Sequence, residues 1–299
     1  MSEKRNVGDV LKDVCSLSRQ NRFGEARQLI LQAAGITSEE RAKIPQGRMG
    51  EYILNKCRNP NIQRMIFVEK AFYDLWALGK VSMDRDPSAL EASSCIEQLD
   101  NIMPFLNKED KLHVKYWQSY YYRYVEPDDD IHRYDLLMEV MQKTPKGTSQ
   151  SDTRFFDCSN IIYGLSIPLG DKYKGIKLAQ RKTGPEHFSH EYYKKQLGVV
   201  VPEYYNHLLQ TGLSTEQGYD QRKEAYLQAI DVIDDIDIPE VQKNAKKLYV
   251  YSQLVPLLQQ YSDPNRFETY KKQQNLIYKQ ARLQKALGIY KYKAFDPYS

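Results

Sequence analysis

The 299-residue chain has no run near the ~18 consecutive apolar residues that a membrane-crossing helix needs. Its most apolar stretches, such as Ile161 to Ile167, are short and interrupted. Fifteen glycines and thirteen prolines are too few for a collagen-like or disordered chain. Four cysteines, Cys15, Cys57, Cys95 and Cys158, stand far apart with no C-x-x-C pair. That spacing suits neither a disulfide framework nor a zinc site, and predicts reduced thiols in a core. Residues 1 to 13 alternate Lys4, Arg5 and Lys12 with Glu3, Asp9 and Asp13, so they resemble neither a signal peptide nor an acid-poor transit peptide. A cytoplasmic location is the expectation, with import without a typical presequence, or a trimmed chain, left open.

Motifs of catalysis are also missing. There is no H-E-x-x-H, no G-x-x-x-x-G-K-[ST], no G-x-S-x-G element and no cysteine-centred catalytic signature. The expectation is a chain that is not an enzyme and needs no cofactor or metal.

What is present is helical periodicity. Val7, Val10, Leu11, Val14 and Leu17 make one stripe of an amphipathic helix, and Ala26, Leu29, Ile30 and Ala33 make a second after the break at Asn21 to Gly24. Two short helices about a tight turn form an αα-hairpin. Residues Asn21 to Ala34, N-R-F-G-E-A-R-Q-L-I-L-Q-A-A, resemble the turn and second helix of a tetratricopeptide repeat. The resemblance implies that Phe23 and Gly24 occupy the turn and that Ala26 lets the helices approach. It covers about fourteen residues, without a second copy at the ~34-residue period.

Further signals place further helices. Thr37 and Glu40 have capping-box spacing, and a short helix is expected over Met49 to Lys56. Asn59-Pro60 opens a helix through Ile62, Met65, Ile66, Phe72, Tyr73 and Trp76 to Gly79, interrupted on its apolar face by Glu69. Asp86-Pro87 supplies an N-cap and first-turn pair for a helix ending near Pro104. Asn107 to Val125 is so rich in aromatics that two faces need cover. Asp128 to Asp130 suit the positive start of a helix over Ile131 to Gln142.

Thr144 to Gln150 is the clearest loop and the expected boundary between a hairpin array at 1–143 and a second helical region at 151–262. Within the latter, Gly164, Pro168, Gly170, Gly175 and Gly184 predict an irregular loop or small hairpin over 160–185. Helices return over His187 to Leu197, Pro202 to Leu209, Tyr219 to Asp237 and Pro239 to Tyr261, with Pro256 expected to bend or end the last. Asp263-Pro264 starts a basic helix to Leu287, with an extended tail beyond, so that 263–299 forms a third region. The fold class expected is mainly α, as stacked helical hairpins in an α-solenoid or irregular bundle with one glycine-rich insertion.

Three clusters have chemistry to consider. His187 and His190, three apart, have the reach to share an ion with Glu186 or Glu191, yet lack a partner motif. Asp231, Asp234, Asp235 and Asp237 are interleaved with apolar residues, unlike a calcium loop, and read as a helix face or end. Gly170 to Gly175, with Lys177, Arg181 and Lys182, is basic and glycine-rich without phosphate-loop spacing, and reads as a flexible basic loop.

Charge is the strongest functional signal. Between Arg266 and Lys293 eight cations face a single acid, Glu268, within a chain whose overall net charge is only +4. Lys271, Lys272, Lys279, Arg282 and Lys285 are therefore expected to contact a partner's acidic surface, with Tyr290, Tyr292, Phe295 and Tyr298 as anchors in the tail. The reading is a scaffold or accessory subunit of a large protein assembly, cytoskeletal or axonemal and microtubule-associated first. A mitochondrial complex, a nucleic-acid-associated helical protein and an enzyme are the alternatives.

Overall fold

The computed structural model describes residues 7–45, 48–261 and 263–286. Among them are fourteen α-helices, one 3-10 turn and no strand, so the chain is mainly α. It divides into two compact units, Met1–Arg154 and Phe155–Ser299. The division falls inside a helix, a few residues past the Thr144 to Gln150 loop.

In the first unit, α1 (Val7–Arg19) and α2 (Phe23–Ala33) meet at a turn where Asn21 takes φ 59°, a left-handed conformation that asparagine tolerates. Ala26 is fully buried there, whereas Gly24 has nothing within 4 Å of where a Cβ would sit. The next helix, α3 (Ser38–Lys43), begins with the expected capping box. The Glu40 N–H donates to Thr37 Oγ1 at 3.3 Å and the Thr37 N–H to Glu40 Oε2 at 3.0 Å, satisfying two otherwise orphaned donors. Then follow α4 (Met49–Lys56) and α5 (Pro60–Asp84), the latter capped by Asn59, whose Oδ1 accepts from the Asn61 N–H at 3.0 Å.

The cap of α6 (Ala89–Ile102) is Ser88, not Asp86. Ser88 and Glu91 cap reciprocally, and Arg85 grips both Glu91 oxygens at 3.0 and 2.6 Å. Asp86 has no such partner three residues on, and accepts instead from the Tyr124 hydroxyl at 3.0 Å. A 3-10 turn (Met103–Phe105) leads to α7 (Lys108–Val125), capped by Asn107, and α8 (Asp130–Lys143), capped by Asp129.

The expected irregular segment at 160–185 is instead mostly helix. The first helix reaching into it, α9 (Ser149–Gly164), ends on its glycine, and α10 (Leu169–Lys182) occupies most of the remainder. Its glycines serve packing. Gly175 lies buried beside Ile176 and Ala179, and a Cβ on Gly170 would stand 2.9 Å from the Tyr204 hydroxyl. The cost of roughly 1 kcal/mol per helical glycine is offset by this close approach.

Both interior prolines are likewise absorbed. Helix α11 (Ser189–Leu213) runs unbroken through Pro202, and α13 (Glu240–Gln260) through Pro256, with α12 (Tyr219–Ile233) between them. A proline inside a helix costs about 3 kcal/mol. Against it stand Val200, Val201, Tyr205 and Leu209 on α11, each at most 2% exposed, and each worth about 1.5–3 kcal/mol of burial for the aliphatic side chains. The last described helix is α14 (Pro264–Ala286).

Packing is mostly between sequence neighbours. In the first unit α1 packs on α2 and α5, then α5 on α6, α6 on α7 and α7 on α8. In the second, α10 packs on α11, α11 on α12, α12 on α13 and α13 on α14. One core of the first unit joins Val14, Ala26, Ile30, Ile53 and Met65, and another joins Cys15, Phe72, Leu99 and Tyr121. The second unit is centred on fully buried Phe155, Tyr193, Tyr205 and Tyr226. The α11–α12 crossing is tight: a Cβ on Gly212 would meet the Tyr226 ring at 2.5 Å.

Candidate partner-docking surface

Helix α14 packs along α13, and its sequence decides which side does so. Phe267, Tyr270, Gln274 and Ile277 recur at helical spacing and are its half-buried positions. Tyr270 lies against Tyr251 of α13, ring centroids 6.1 Å apart, and the Tyr251 hydroxyl donates to Gln273 Oε1 at 2.9 Å. Burial is the main reason that the Tyr251 hydroxyl's pKa is pushed up to about 12, so it remains a hydrogen-bond donor at any ordinary pH. No residue of α14 whose side chain is described is fully buried. The helix covers its neighbour and leaves its own outer side uncovered among the described residues.

That outer side is cationic. Lys271, Lys272, Lys279 and Arg282 are all exposed, and among the described residues none of the four joins an ion pair. The acidic neighbour at the start of the helix is taken by Arg266, whose Nε lies 4.0 Å from Asp263. Lys272 and Lys279, seven residues and about 10 Å apart along the axis, share one line. Lys271 and Arg282 lie on the adjacent flank, each beside an aromatic ring: Lys271 sits 4.8 Å from the Phe267 centroid and Arg282 6.0 Å from that of Tyr278. Tyr278 stands 58% exposed beside these cations, a residue to which the sequence reading assigned no role.

The opposite flank differs in character. Gln273, Leu276 and Gln280 border a groove of about 600 Å³ shared with α12 and α13, where Glu224 and Asp231 supply acid. The cations therefore concentrate on one flank and the crest. Of the remaining expected contacts, Lys285 lies within α14, its side chain outside the described set, and Tyr290, Tyr292, Phe295 and Tyr298 lie outside the described residues.

Most of the other sequence candidates are held in structural contacts, whereas His190 Nδ1 is buried without a hydrogen-bond partner among the described residues. His187 Nδ1 lies 2.7 Å from the Ser189 hydroxyl and accepts from the Ser189 N–H at 3.3 Å, with its ring against Phe188. Among the described residues, no three His, Cys, Asp or Glu are grouped to hold an ion. Asp235 accepts from the Tyr173 hydroxyl and from Lys177, each at 2.5 Å, tying the end of α12 to α10. Asp234 pairs with Lys247 at 2.5 Å. The cations of the glycine-rich segment are likewise engaged: Lys174 with Asp171 at 3.2 Å, and Lys172 with the Tyr163 carbonyl at 3.2 Å. Cys15, Cys95 and Cys158 are buried and Cys57 half-buried, all as free thiols.

A concavity of about 1080 Å³ lies where α10, α11 and α12 meet near Arg266. Its lining charges balance, Lys174, Lys223 and Arg266 against Asp171, Asp220 and Glu224, with Lys174 paired to Asp171 and Lys223 to Asp220 at 2.7 Å. Comparison with protein-family models, curated proteins and solved structures finds no match for the chain.

Proposed function

We propose that this chain is a non-enzymatic helical scaffold that joins a larger protein assembly by laying the cationic side of α14 on an acidic partner surface. The observation that carries this reading is the set of four exposed cations, Lys271, Lys272, Lys279 and Arg282, which among the described residues are unpaired and lie on the uncovered side of a helix whose other side is used for packing. Tyr278 gives that side apolar contact area as well as charge, a mixture suited to a protein face. The tail tyrosines and Phe295 enter the proposal as further anchors on sequence grounds. The α1–α2 turn, with Ala26 buried, is read as a tetratricopeptide-like hairpin and supports the scaffold role. An acidic cytoskeletal lattice such as the microtubule surface is the partner class that this charge pattern complements best.

The test is co-sedimentation of the full chain with stabilised microtubules, for the wild type and for a variant carrying Lys271→Glu, Lys272→Glu, Lys279→Glu and Arg282→Glu. Four exposed pairs at roughly 0.5 kcal/mol each total about 2 kcal/mol, a loss of about thirty-fold in affinity before repulsion is added. Binding by the wild type should weaken with salt and be lost in the variant, whose melting temperature should stay unchanged. Absence of wild-type binding, or equal binding by the variant, refutes the lattice assignment. Tight, salt-steep binding to RNA would move the protein to the nucleic-acid class.

A further inference from the structure

A second surface, in the first unit, carries an inference independent of α14. The chain has only two tryptophans. Both Trp76 of α5 and Trp117 of α7 line one open cleft of about 340 Å³, closed at the end of α1 by Ser18 and Arg19. Its floor is Phe72, 2% exposed, and His113, whose ring lies 6.1 Å from Phe72 and 6.3 Å from Trp117. The walls are thus aromatic, and they are not sealed: Trp76 is 38% exposed.

One polar group of the cleft is unspent. The His113 ring makes no hydrogen bond among the described residues. Burial holds its pKa down at about 4, so at neutral pH it presents one donor and one acceptor without charge.

Charge selects the occupant. Aromatic walls of this kind can hold a cation, but Lys80 stands at the rim, pairs with no carboxylate among the described residues, and lies 5.8 Å from the Trp76 ring. Arg19, deeper in, is held by Glu109 at 2.7 Å and Asp110 at 3.1 Å, and the cleft's own lining contains no carboxylate. A ligand cation would meet Lys80 directly, whereas a carboxylate would pair with it. Size narrows the choice again, because the volume is at the lower end for ligand sites and suits one ring rather than a nucleotide or large cofactor. Along the cleft's edge, Tyr73 extends the line of Trp76, Lys80 and Met83 on α5 at helical spacing, with Tyr73 38% and Met83 78% exposed. That exposed track gives a chain entering the cleft somewhere to lie.

We propose that this cleft receives a single aromatic side chain flanked by a carboxylate, presented by a peptide segment of a partner protein. The ring sits between Trp76 and Phe72, and the carboxylate meets Lys80. This site would give the scaffold a second contact, with a partner different from the one that meets α14.

The two tryptophans make the cleft its own reporter, because the emission of the full chain comes from its walls. The probe is the capped pentapeptide Ala-Asp-Phe-Glu-Ala, titrated into wild-type protein while tryptophan emission is followed. A saturable change is expected. It should weaken about ten-fold when the peptide's Phe is replaced by Ala, and about ten-fold when its acids are replaced by Lys. Lys80→Glu should weaken binding of the acidic peptide by a similar factor, while the quadruple α14 variant binds it as wild type does, which separates this inference from the one above. The proposal is overturned by no saturable change up to about 10 mM peptide, a limit weaker than specific recognition requires. Equal binding of the Phe-to-Ala peptide overturns it too. So does binding of phenylacetate as tight as that of the pentapeptide, which would assign the cleft to a small molecule.

Discussion

Acidifying the protein from neutral pH to about pH 4 should remove about 3 kcal/mol of stability from the first unit through one side chain, His113. The imidazole lies among Phe72 and Trp117, and its pKa falls from 6.5 to about 4, first because burial disfavours the cation and then because Arg154 and Arg19 repel it. In the unfolded chain the ring takes up its proton near 6.5, while the folded protein resists until about 4. Its contribution is therefore fully present above 6.5 and is lost as pH falls between those values. A difference of about 2.5 pH units at about 1.36 kcal/mol each gives the figure above. Glu69 and Asp110 act in the opposite sense, since burial raises both carboxyl pKa values and the folded state gains from their protonation. The wild-type slope alone would thus understate the histidine. The assay is urea unfolding followed by tryptophan emission, at pH values from about 7.5 to about 4, for wild type and His113→Gln. The stability of the wild type relative to the variant should drop by about 3 kcal/mol across that range. Parallel stability curves for the two proteins would refute the reasoning.

Two further outcomes follow from packing. Under native conditions a thiol reagent should modify Cys57 fast and the other three cysteines slowly, because burial pushes the Cys15 and Cys95 thiols up to about 12 and Cys158 is fully buried; all four should react after denaturation. Gly212→Ala should destabilise the second unit by about 1–2 kcal/mol in a thermal or urea melt, although alanine is the better helix former by ~1 kcal/mol, because the new methyl would lie 2.5 Å from the buried Tyr226 ring. Unchanged stability would mean that the α11–α12 crossing relaxes freely.

Much of the fold could be read locally. Thr37 with Glu40, Asn59 with Pro60, and the stripe from Val7 to Leu17 act through neighbours within a few residues, and each stands where its spacing put it. The failures of helix continuity have one cause. Gly170, Gly175, Pro202 and Pro256 weaken an isolated helix, but their helices are decided by burial against elements elsewhere in the chain, which local preference does not see. Ser88 against Asp86 was a contest between two caps, resolved by Arg85 binding Glu91. In the candidate docking surface, the cations and the stripe of α14 were legible because both are properties of one helix. The tryptophan cleft was not, since Ser18, Trp76, Lys80 and His113 meet only through tertiary packing. One local signal existed: α5 carries more aromatic residues than a single packed face can use, and Tyr73 and Trp76 are the surplus.

The habit of each helix resting on its sequence neighbour also shapes how the chain reaches and leaves this state. Contacts of low sequence separation cost little loop-closure entropy, so each unit should assemble rapidly, from whichever adjoining pair nucleates first. Opening should be graded in the same way. Helix α14 rests principally on α13, so its amides should exchange with solvent well before those of α11. A partner seated on α14 would slow that exchange and clamp the most loosely held member of the array.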